Sequence, residues 1–460
     1  MPDARPMPAA DSAVTETLAA HAMALRYADL PADVVAVAKH CFLDWIGVTL
    51  AGRDEPLTRM LVDQATAEGG AAQATLVGDR RQVNAGQAAL INGAASHALD
   101  FDDVQERLHG HPTAPVAPVL LALAERESKS GRDVIAAFVA GVEVECRINQ
   151  FMGESHYERG WHATATAGTF GAAVAAAHLM GFDAQHCAVA MGIAGTQAAG
   201  LRAMFGTMCK PLHAGLAARN GLFAAEMAGR GLTSRADVLE RPLGFGWTQS
   251  EATDAARALD GLGRDFEVRN VLFKYHAACH GVHATVEALQ ALRRDASVDP
   301  TEIEAVEVAV QSEYLNICGI DRPETGLEGK FSLRFCAALA LEGADTAAPA
   351  TYSDAKVHDA KIVDLAERVR VTARPEMEMK TADVAVHTKG GVVHRGSWDA
   401  GVPDRDLDRQ WSKLSQKFHT CADPAIGAER ADATIAAVAD MDAADMDGAA
   451  GVARIVAAWA

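Results

Sequence analysis

Aromatic side chains are scarce in this chain, 5% of 460 residues, which argues against a roomy cavity lined with rings and suits helices packed closely on alanine and glycine. Basic residues are also short. Forty-two Lys and Arg face 61 Asp and Glu, a net charge of −19, so neither a nucleic-acid surface nor an anionic membrane surface is expected, since both need a basic patch. No uninterrupted run of about twenty apolar residues occurs, so no membrane span is expected. The stretch Met1 to Ala10 holds Asp3 and three prolines and lacks the basic start and apolar run of a secretory signal. The eight cysteines are dispersed without a C-x-x-C pair. They read as reduced thiols of a cytoplasmic protein, without the spacing of an iron–sulfur cluster or a zinc ribbon. That removes a cluster-dependent dehydratase from consideration.

What is present is length and helical pattern. The chain exceeds one average domain, so two domains are expected. Ser12 or Asp11 is placed to cap a first helix, and a second follows Pro31, with Val34, Val37, Ala38, Cys41, Phe42 and Trp45 forming a buried stripe. Asp44 beside that stripe reads as a helix–helix hydrogen bonder. Further helices are expected over 83–98, 116–130, 132–150, 162–180, 183–200 and 216–230. From about residue 265 the texture changes. Glu302 to Val310 and Thr381 to Thr388 alternate polar and apolar residues, as half-buried antiparallel strands do. Lys389-Gly390-Gly391 turns the second into a hairpin, the helix Phe331 to Leu341 sits between the strands, and the pattern after residue 400 is helical again.

The functional segment is His97-Ala-Leu-Asp-Phe-Asp-Asp-Val-Gln-Glu-Arg-Leu-His-Gly-His111. Eight ionisable groups (His97, Asp100, Asp102, Asp103, Glu106, Arg107, His109, His111) fall within fifteen residues, threaded with apolar Ala98, Leu99 and Phe101. Titratable groups set in apolar surroundings tend to be functional. In a straight helix Asp100 and His111 would lie about 16 Å apart at ~1.5 Å per residue. Gly110 and Pro112 instead point to a loop that returns His111 toward Asp100, with Pro115 opening the next helix. Three other segments fit around it. His162 is placed at a helix N-terminus, where the dipole favours an anion. Lys210 is placed in a Gly- and Pro-punctuated loop just before another helix. Lys274, His276, Cys279, His280 and His283 open the second region. On a helix, His276, Cys279, His280 and His283 would share a face and could hold zinc, but Lys274 and the other basic segments favour an anion.

These segments together, with Gly206-Thr207 through Lys210, Leu212-His213-Ala214-Gly215, Asp44-Trp-Ile-Gly47, Asn92-Gly93 and Lys330-Phe331-Ser332-Leu333, resemble the MmgE/PrpD family over nearly the full length. This is the family of 2-methylcitrate dehydratase, cis-aconitate decarboxylase and iminodisuccinate epimerase. The resemblance implies a mainly α protein: a large all-helical domain from residues 1–267 and 401–460, and a smaller α+β lid domain with an antiparallel sheet, residues 268–400. It also implies a homodimer and a site between the domains without metal or organic cofactor. Asp100, His111, His162 and Lys210 match residues lining that site, joined by Lys274 and one residue of its segment, for which His276, Cys279 and His280 remain alternatives. His97, Asp103, Cys279 and His280 are candidates for holding substrate. Two departures stand out: Val104 replaces a commonly hydroxylated residue, and the loop to His111 is one residue longer.

The family's reactions develop charge at a carbon beside a carboxylate, which needs a positioned acid or base and fixed positive charge. Lys210 and Lys274 are expected to hold substrate carboxylates, His111 to act as general acid/base, Asp100 to orient it or a second imidazole, and His162 or His276 to supply the second proton. The first reading is a cofactor-independent lyase acting on a small di- or tricarboxylate, a dehydratase of the 2-methylcitrate type. Decarboxylation of the cis-aconitate type and epimerisation are its alternatives. A remote one is magnesium-dependent diphosphate ionisation at Asp102-Asp103-Val-Gln-Glu106, and a non-enzymatic helical interaction protein completes the set.

Overall fold

The computed structural model describes residues 13–443 and 450–459, so the proposed caps Asp11 and Ser12 lie outside the described residues. The chain forms two compact units, Met1–Phe273 with Asp406–Ala460, and Lys274–Arg405. Its first divide falls after Phe273, beyond the expected 267, because Val271 and Leu272 pair with Val104 and Gln105 of the first unit.

The first unit is helical: α1 (Val14–Ala24), α2 (Ala32–Gly52), α3 (Pro56–Glu68), α4 (Ala85–His97), α5 (Thr113–Glu127), α6 (Gly131–Met152), α7 (Glu154–Glu158), α8 (Ala163–Leu179), α9 (Ala184–Gly195), α10 (Cys209–Gly229), α11 (Phe245–Gln249) and α12 (Ala255–Leu259). Its strands are short antiparallel pairs, β1 (Ala74–Thr75) with β2 (Gln82–Val83) and β3 (Val104–Gln105) with β4 (Val271–Leu272). Small residues let the central helices touch. At the crossing of α4 and α10 a Cβ on Gly215 would lie 2.2 Å from the Leu90 carbonyl oxygen, so glycine is required there. That contact fixes the spacing between the helix that ends at His97 and the one that carries Lys210. A capping box starts α4, with Asn84 accepting from the Gln87 amide and Gln87 accepting from the Asn84 amide.

Two helix starts differ from expectation for one reason. Helix α5 begins at Thr113 rather than after Pro115, and α10 begins at Cys209 rather than after Pro211. In both, proline is the third helical residue, where its missing N–H has no intrahelical partner to lose. Helix α2 is long and apolar enough to cross a bilayer, yet 78% of its most apolar window is buried inside the protein.

In the second unit, α13 (His283–Asp295) precedes β5 (Ile303–Val310). Helices α14 (Glu313–Cys318), α15 (Gly326–Gly329), α16 (Leu333–Glu342), α17 (Asp354–Val357) and α18 (Ala360–Glu367) then lead to β6 (Val369–Ala373), β7 (Thr381–Thr388) and β8 (Val393–Asp399). The strand order is β6-β5-β7-β8. Strand β7 pairs antiparallel with both β5 and β8, the latter through the expected Lys389-Gly390-Gly391 hairpin, whereas β6 adds a parallel edge to β5. A parallel neighbour needs a long crossover, which α14 to α18 provide. Helix α13 packs on β7 and β8, and α16 on β6 and α13.

The C-terminal helices α19 (Leu407–Ile426), α20 (Ala428–Ala439) and α21 (Ala450–Trp459) return to the first unit. The tie is ionic. Lys417 on α19 pairs with Asp44 on α2 at 2.6 Å, both side chains almost wholly buried, and donates to the Phe101 carbonyl at 2.7 Å. Asp44 is thus a helix–helix partner, as its position beside the apolar stripe implies, and the pair braces the segment after His97 from below.

Candidate active site

Helix α4 stops at His97, and three residues later the backbone reverses at Asp100, whose φ of 53° is left-handed. A non-glycine residue there carries strain, tolerated best by Asp and Asn and concentrated at functional sites. Phe101 then plunges into the core. The chain passes through β3, and Gln105 and Gly110 close the loop with paired backbone hydrogen bonds (Gln105 N to Gly110 O, 2.9 Å). The His111 amide donates to Thr164 Oγ1 on α8 at 3.0 Å. The returning loop expected from Gly110 and Pro112 is therefore present, and it sets His111 Nε2 3.6 Å from Asp100 Oδ1.

At the centre lies Asp102. Its carboxylate accepts from His97 Nδ1 at 2.9 Å and stands 3.1 Å from His111 Nδ1, with all but 1% of the aspartate surface buried. Burial alone would raise this carboxyl, but the charges and hydrogen bonds of His111 and then His97 outweigh it and hold Asp102 well below the usual carboxylate range. Asp102 thus stands closer to the His111 ring, at 3.1 Å, than Asp100 does, at 3.6 Å. Asp100 instead receives Lys210 Nζ at 2.7 Å. Lys210 stands in the first turn of α10, not in a loop before it, and its ammonium lies 5.3 Å from the centre of the Phe205 ring.

His162 occupies the N-cap position of α8 but forms no side-chain cap bond. Its ring stacks on His97 at 5.9 Å, meets the edge of Phe205 at 5.0 Å, and places Nδ1 3.1 Å from His213 Nδ1. Burial first, then the neighbouring His97, Lys210, His111 and His213, hold His162 far below the ordinary histidine range; burial, His97 and Lys210 lower His213 as well. Asp102, His213 and Phe205, which the sequence does not single out as site residues, stand in contact with His97, His162 and Lys210. Asp102 had a signal, sitting two residues from Asp100 in the same segment. His213 had one too, three residues past Lys210 on the same helix.

Other expectations change. Asp103, a candidate for holding substrate, is buried and faces away: it accepts the hydroxyl of Thr113 and lies beside Cys41. Burial, then the negative charge of Asp44, pushes its carboxyl up to about 8. The three carboxylates of the magnesium alternative do not share a face, since Asp102 is bound to histidines, Asp103 points at Thr113, and Glu106 is exposed. His97, Asp100, Asp102 and His111 do bring one possible ligand atom each within 4.8 Å of one another. Those atoms are engaged by the Asp102 to imidazole contacts and by the Lys210 ammonium, an arrangement suited to proton handling and anion binding.

In the second unit Lys274 and His276 are 2% and 4% exposed, while Cys279 and His280 are half-buried. His276 Nδ1 contacts Thr346 Oγ1 at 2.7 Å, and its Nε2 lies 3.6 Å from Glu287. His283 donates to the Ala278 carbonyl at 3.2 Å and lies 4.9 and 5.0 Å, ring to ring, from His276 and His280. The shared helix face on which the zinc reading depended is absent: His276 and Cys279 precede the helix, His280 to Val282 form a 3-10 turn, and α13 begins only at His283.

Comparison with known proteins agrees with this arrangement of segments. The MmgE/PrpD N-terminal domain matches residues 16–257 and the MmgE/PrpD C-terminal domain residues 276–443. A cis-aconitate decarboxylase-like protein, oryM, of Aspergillus oryzae is 32% identical over 301 residues, covering 61% of this chain and 62% of that protein. Human cis-aconitate decarboxylase is 26% identical over 430 residues, 88% of each chain, and the Aspergillus terreus enzyme of the same name 29% over 354 residues, 72% of each. With both domains matched in order and across most of its length, this chain belongs to the MmgE/PrpD family.

Proposed function

We propose that this protein is a lyase that decarboxylates a small unsaturated tricarboxylate of the cis-aconitate type. The sequence alone put dehydration of a 2-methylcitrate-like substrate first; the names of the relatives favour decarboxylation instead. The observation that carries the reading is Lys210 on Asp100 beside His111, whose imidazole Asp102 orients.

The chemistry asks for those parts. In cis-aconitate one carboxylate sits on a methylene next to the double bond. When its C–C bond breaks, carbon dioxide leaves and the electron pair moves through the double bond to the carbon beside another carboxylate. The resulting enolate-like anion takes one proton, giving an unsaturated dicarboxylate. Fixed positive charge lowers the barrier by stabilising that anion. Lys210 supplies it, exchanging Asp100 for a substrate carboxylate. His111, in contact with Asp102, or His162 delivers the proton. In the second unit we assign Lys274 to carboxylate binding, and His276, engaged by Thr346 and Glu287, to positioning.

The test is a substrate panel of cis-aconitate, 2-methylcitrate and iminodisuccinate, followed by NMR with trapping of released carbon dioxide. Turnover of cis-aconitate with carbon dioxide release supports the proposal. Water loss from 2-methylcitrate in its absence would restore the dehydratase, and inertness toward all three would favour a non-enzymatic role.

A further inference from the structure

His162 and His213 face one another through the same kind of atom. Their Nδ1 nitrogens lie 3.1 Å apart, with the ring centres 5.4 Å apart. A hydrogen bond between two Nδ1 atoms permits one proton, so one ring donates and the other accepts. The pair is rigidly built. The His162 backbone is held by its amide on the Gly200 carbonyl (2.9 Å) and by its own carbonyl, which receives the Ala165 and Thr166 amides. His213 is fixed on α10 and packs against Gly200, where a Cβ would sit 2.5 Å from Ala165 Cβ and 3.3 Å from the His213 ring. Glycine at position 200 is what lets the two rings meet.

Which ring donates follows from acid–base chemistry. With Nδ1 engaged, His162 can exchange a proton with a reacting molecule only through Nε2. As an acid it must then be imidazolium, because a neutral imidazole that gives up its Nε2 proton and holds none on Nδ1 would become an anion, far out of reach at neutral pH. As a base, neutral His162 has a free Nε2 only if its proton is on Nδ1. Both roles demand a proton on His162 Nδ1, and therefore an acceptor at His213. We propose that His213 is a positioning residue for catalysis: its unprotonated Nδ1 fixes His162 in the Nδ1–H form and leaves Nε2 of His162 as the working atom. This rests on the acid–base role given to His162 above. The logic is that of a histidine held by a neighbour that chooses its tautomer.

The groups around His162 sharpen the role. His97 from the end of α4, His111 from the returning loop, and Lys210 and His213 from α10 all oppose a positive charge on it. His213 is also the neighbour that, remaining neutral, offers that charge a lone pair.

Two measurements test the proposal. In protein carrying 15N-labelled histidine, with His162 assigned from the spectrum of His162→Gln, His162 is expected to hold its proton on Nδ1 and to shift it to Nε2 in His213→Ala. A wild-type His162 with unprotonated Nδ1 would overturn the proposal whether or not the protein turns anything over. In enzyme that consumes cis-aconitate, His213→Ala is expected to lower kcat by roughly 10- to 100-fold with KM unchanged. The limb of the pH–rate profile that titrates His162 moves to lower pH, because the imidazolium loses its acceptor. His213→Asn, whose Oδ1 can take the place of Nδ1, recovers most of the loss. Unchanged kcat and pH profile in His213→Ala, with an active wild type, would also overturn it. A wild type inert toward cis-aconitate would refute the decarboxylase reading while the NMR result still decides the tautomer.

Discussion

Two histidine clusters lie in this protein, and they are built differently. In the first unit His97, His111, His162 and His213 come from three helices and a loop; a buried carboxylate, Asp102, ties His97 to His111, His162 stacks on His97 and meets His213, and the Lys210 and Asp100 pair stands alongside. In the second, His276, His280 and His283 come from one contiguous stretch and lean on a hydroxyl, a carbonyl and each other, with the Glu287 carboxylate 3.6 Å from His276 Nε2. Imidazoles bridged by a carboxylate have defined tautomers and a stabilised cation. The carboxylate of the second cluster stands further off, Glu287 at 3.6 Å from His276 against 2.9 and 3.1 Å for His97 and His111 on Asp102, so its charge support is weaker. What distinguishes the first cluster is one buried carboxylate in close contact with two imidazoles.

Substitutions can break that contrast. Lys210→Ala removes the fixed positive charge and is expected to reduce turnover of cis-aconitate by more than about 100-fold with the far-UV circular dichroism unchanged. Retained turnover would detach the first cluster from the reaction. Asp102→Asn leaves the shape but removes the charge that both imidazoles share, and a loss of about 100-fold in kcat is expected with KM little altered. If KM alone rises, Asp102 serves binding and the orienting role is wrong. His276→Gln is expected to cost less than the ~100-fold that proton transfer carries. A loss equal to that of His111→Gln would erase the distinction between the clusters.

A separate effect concerns stability. The Asp103 carboxyl, raised to about 8 in the fold, stays protonated where the unfolded chain is already ionised. Between an ordinary unfolded value of about 3.9 and the folded value, the native state binds the extra proton, so rising pH destabilises it until pH passes about 8. Asp103→Asn removes this contribution. Its melting temperature is expected to fall less than that of the wild type from pH 5 to pH 8, and parallel curves would show that Asp103 is ionised in the fold.

The contrast between the clusters was only partly legible in the sequence. Gly110 and Pro112 announced the returning loop because they break a helix by known means, and Asp44 announced its partner by standing beside an apolar stripe. Pro115 and Pro211 misled, since each was read as ending a loop while it sits inside a first helical turn, moving Lys210 from loop to helix. Asp100 and Asp102, two apart, look equivalent in sequence, whereas the left-handed turn at Asp100 puts one beside Lys210 and the other between His97 and His111. His213 stands in the sequence only as part of the Leu212-His213-Ala214-Gly215 segment, because its partner His162 is 51 residues away. The parallel edge strand β6 was missed for a related reason: its pairing with β5 crosses five intervening helices.

The most direct test of the central claim is a turnover experiment in deuterated buffer with cis-aconitate as the sole substrate. The account predicts one carbon dioxide per substrate consumed and an unsaturated dicarboxylate bearing a single deuterium, placed by an enzyme acid at the carbon that received the electron pair, with both signals lost in Lys210→Ala. Deuterium entering unreacted cis-aconitate without carbon dioxide release, or release undiminished in Lys210→Ala, would contradict it.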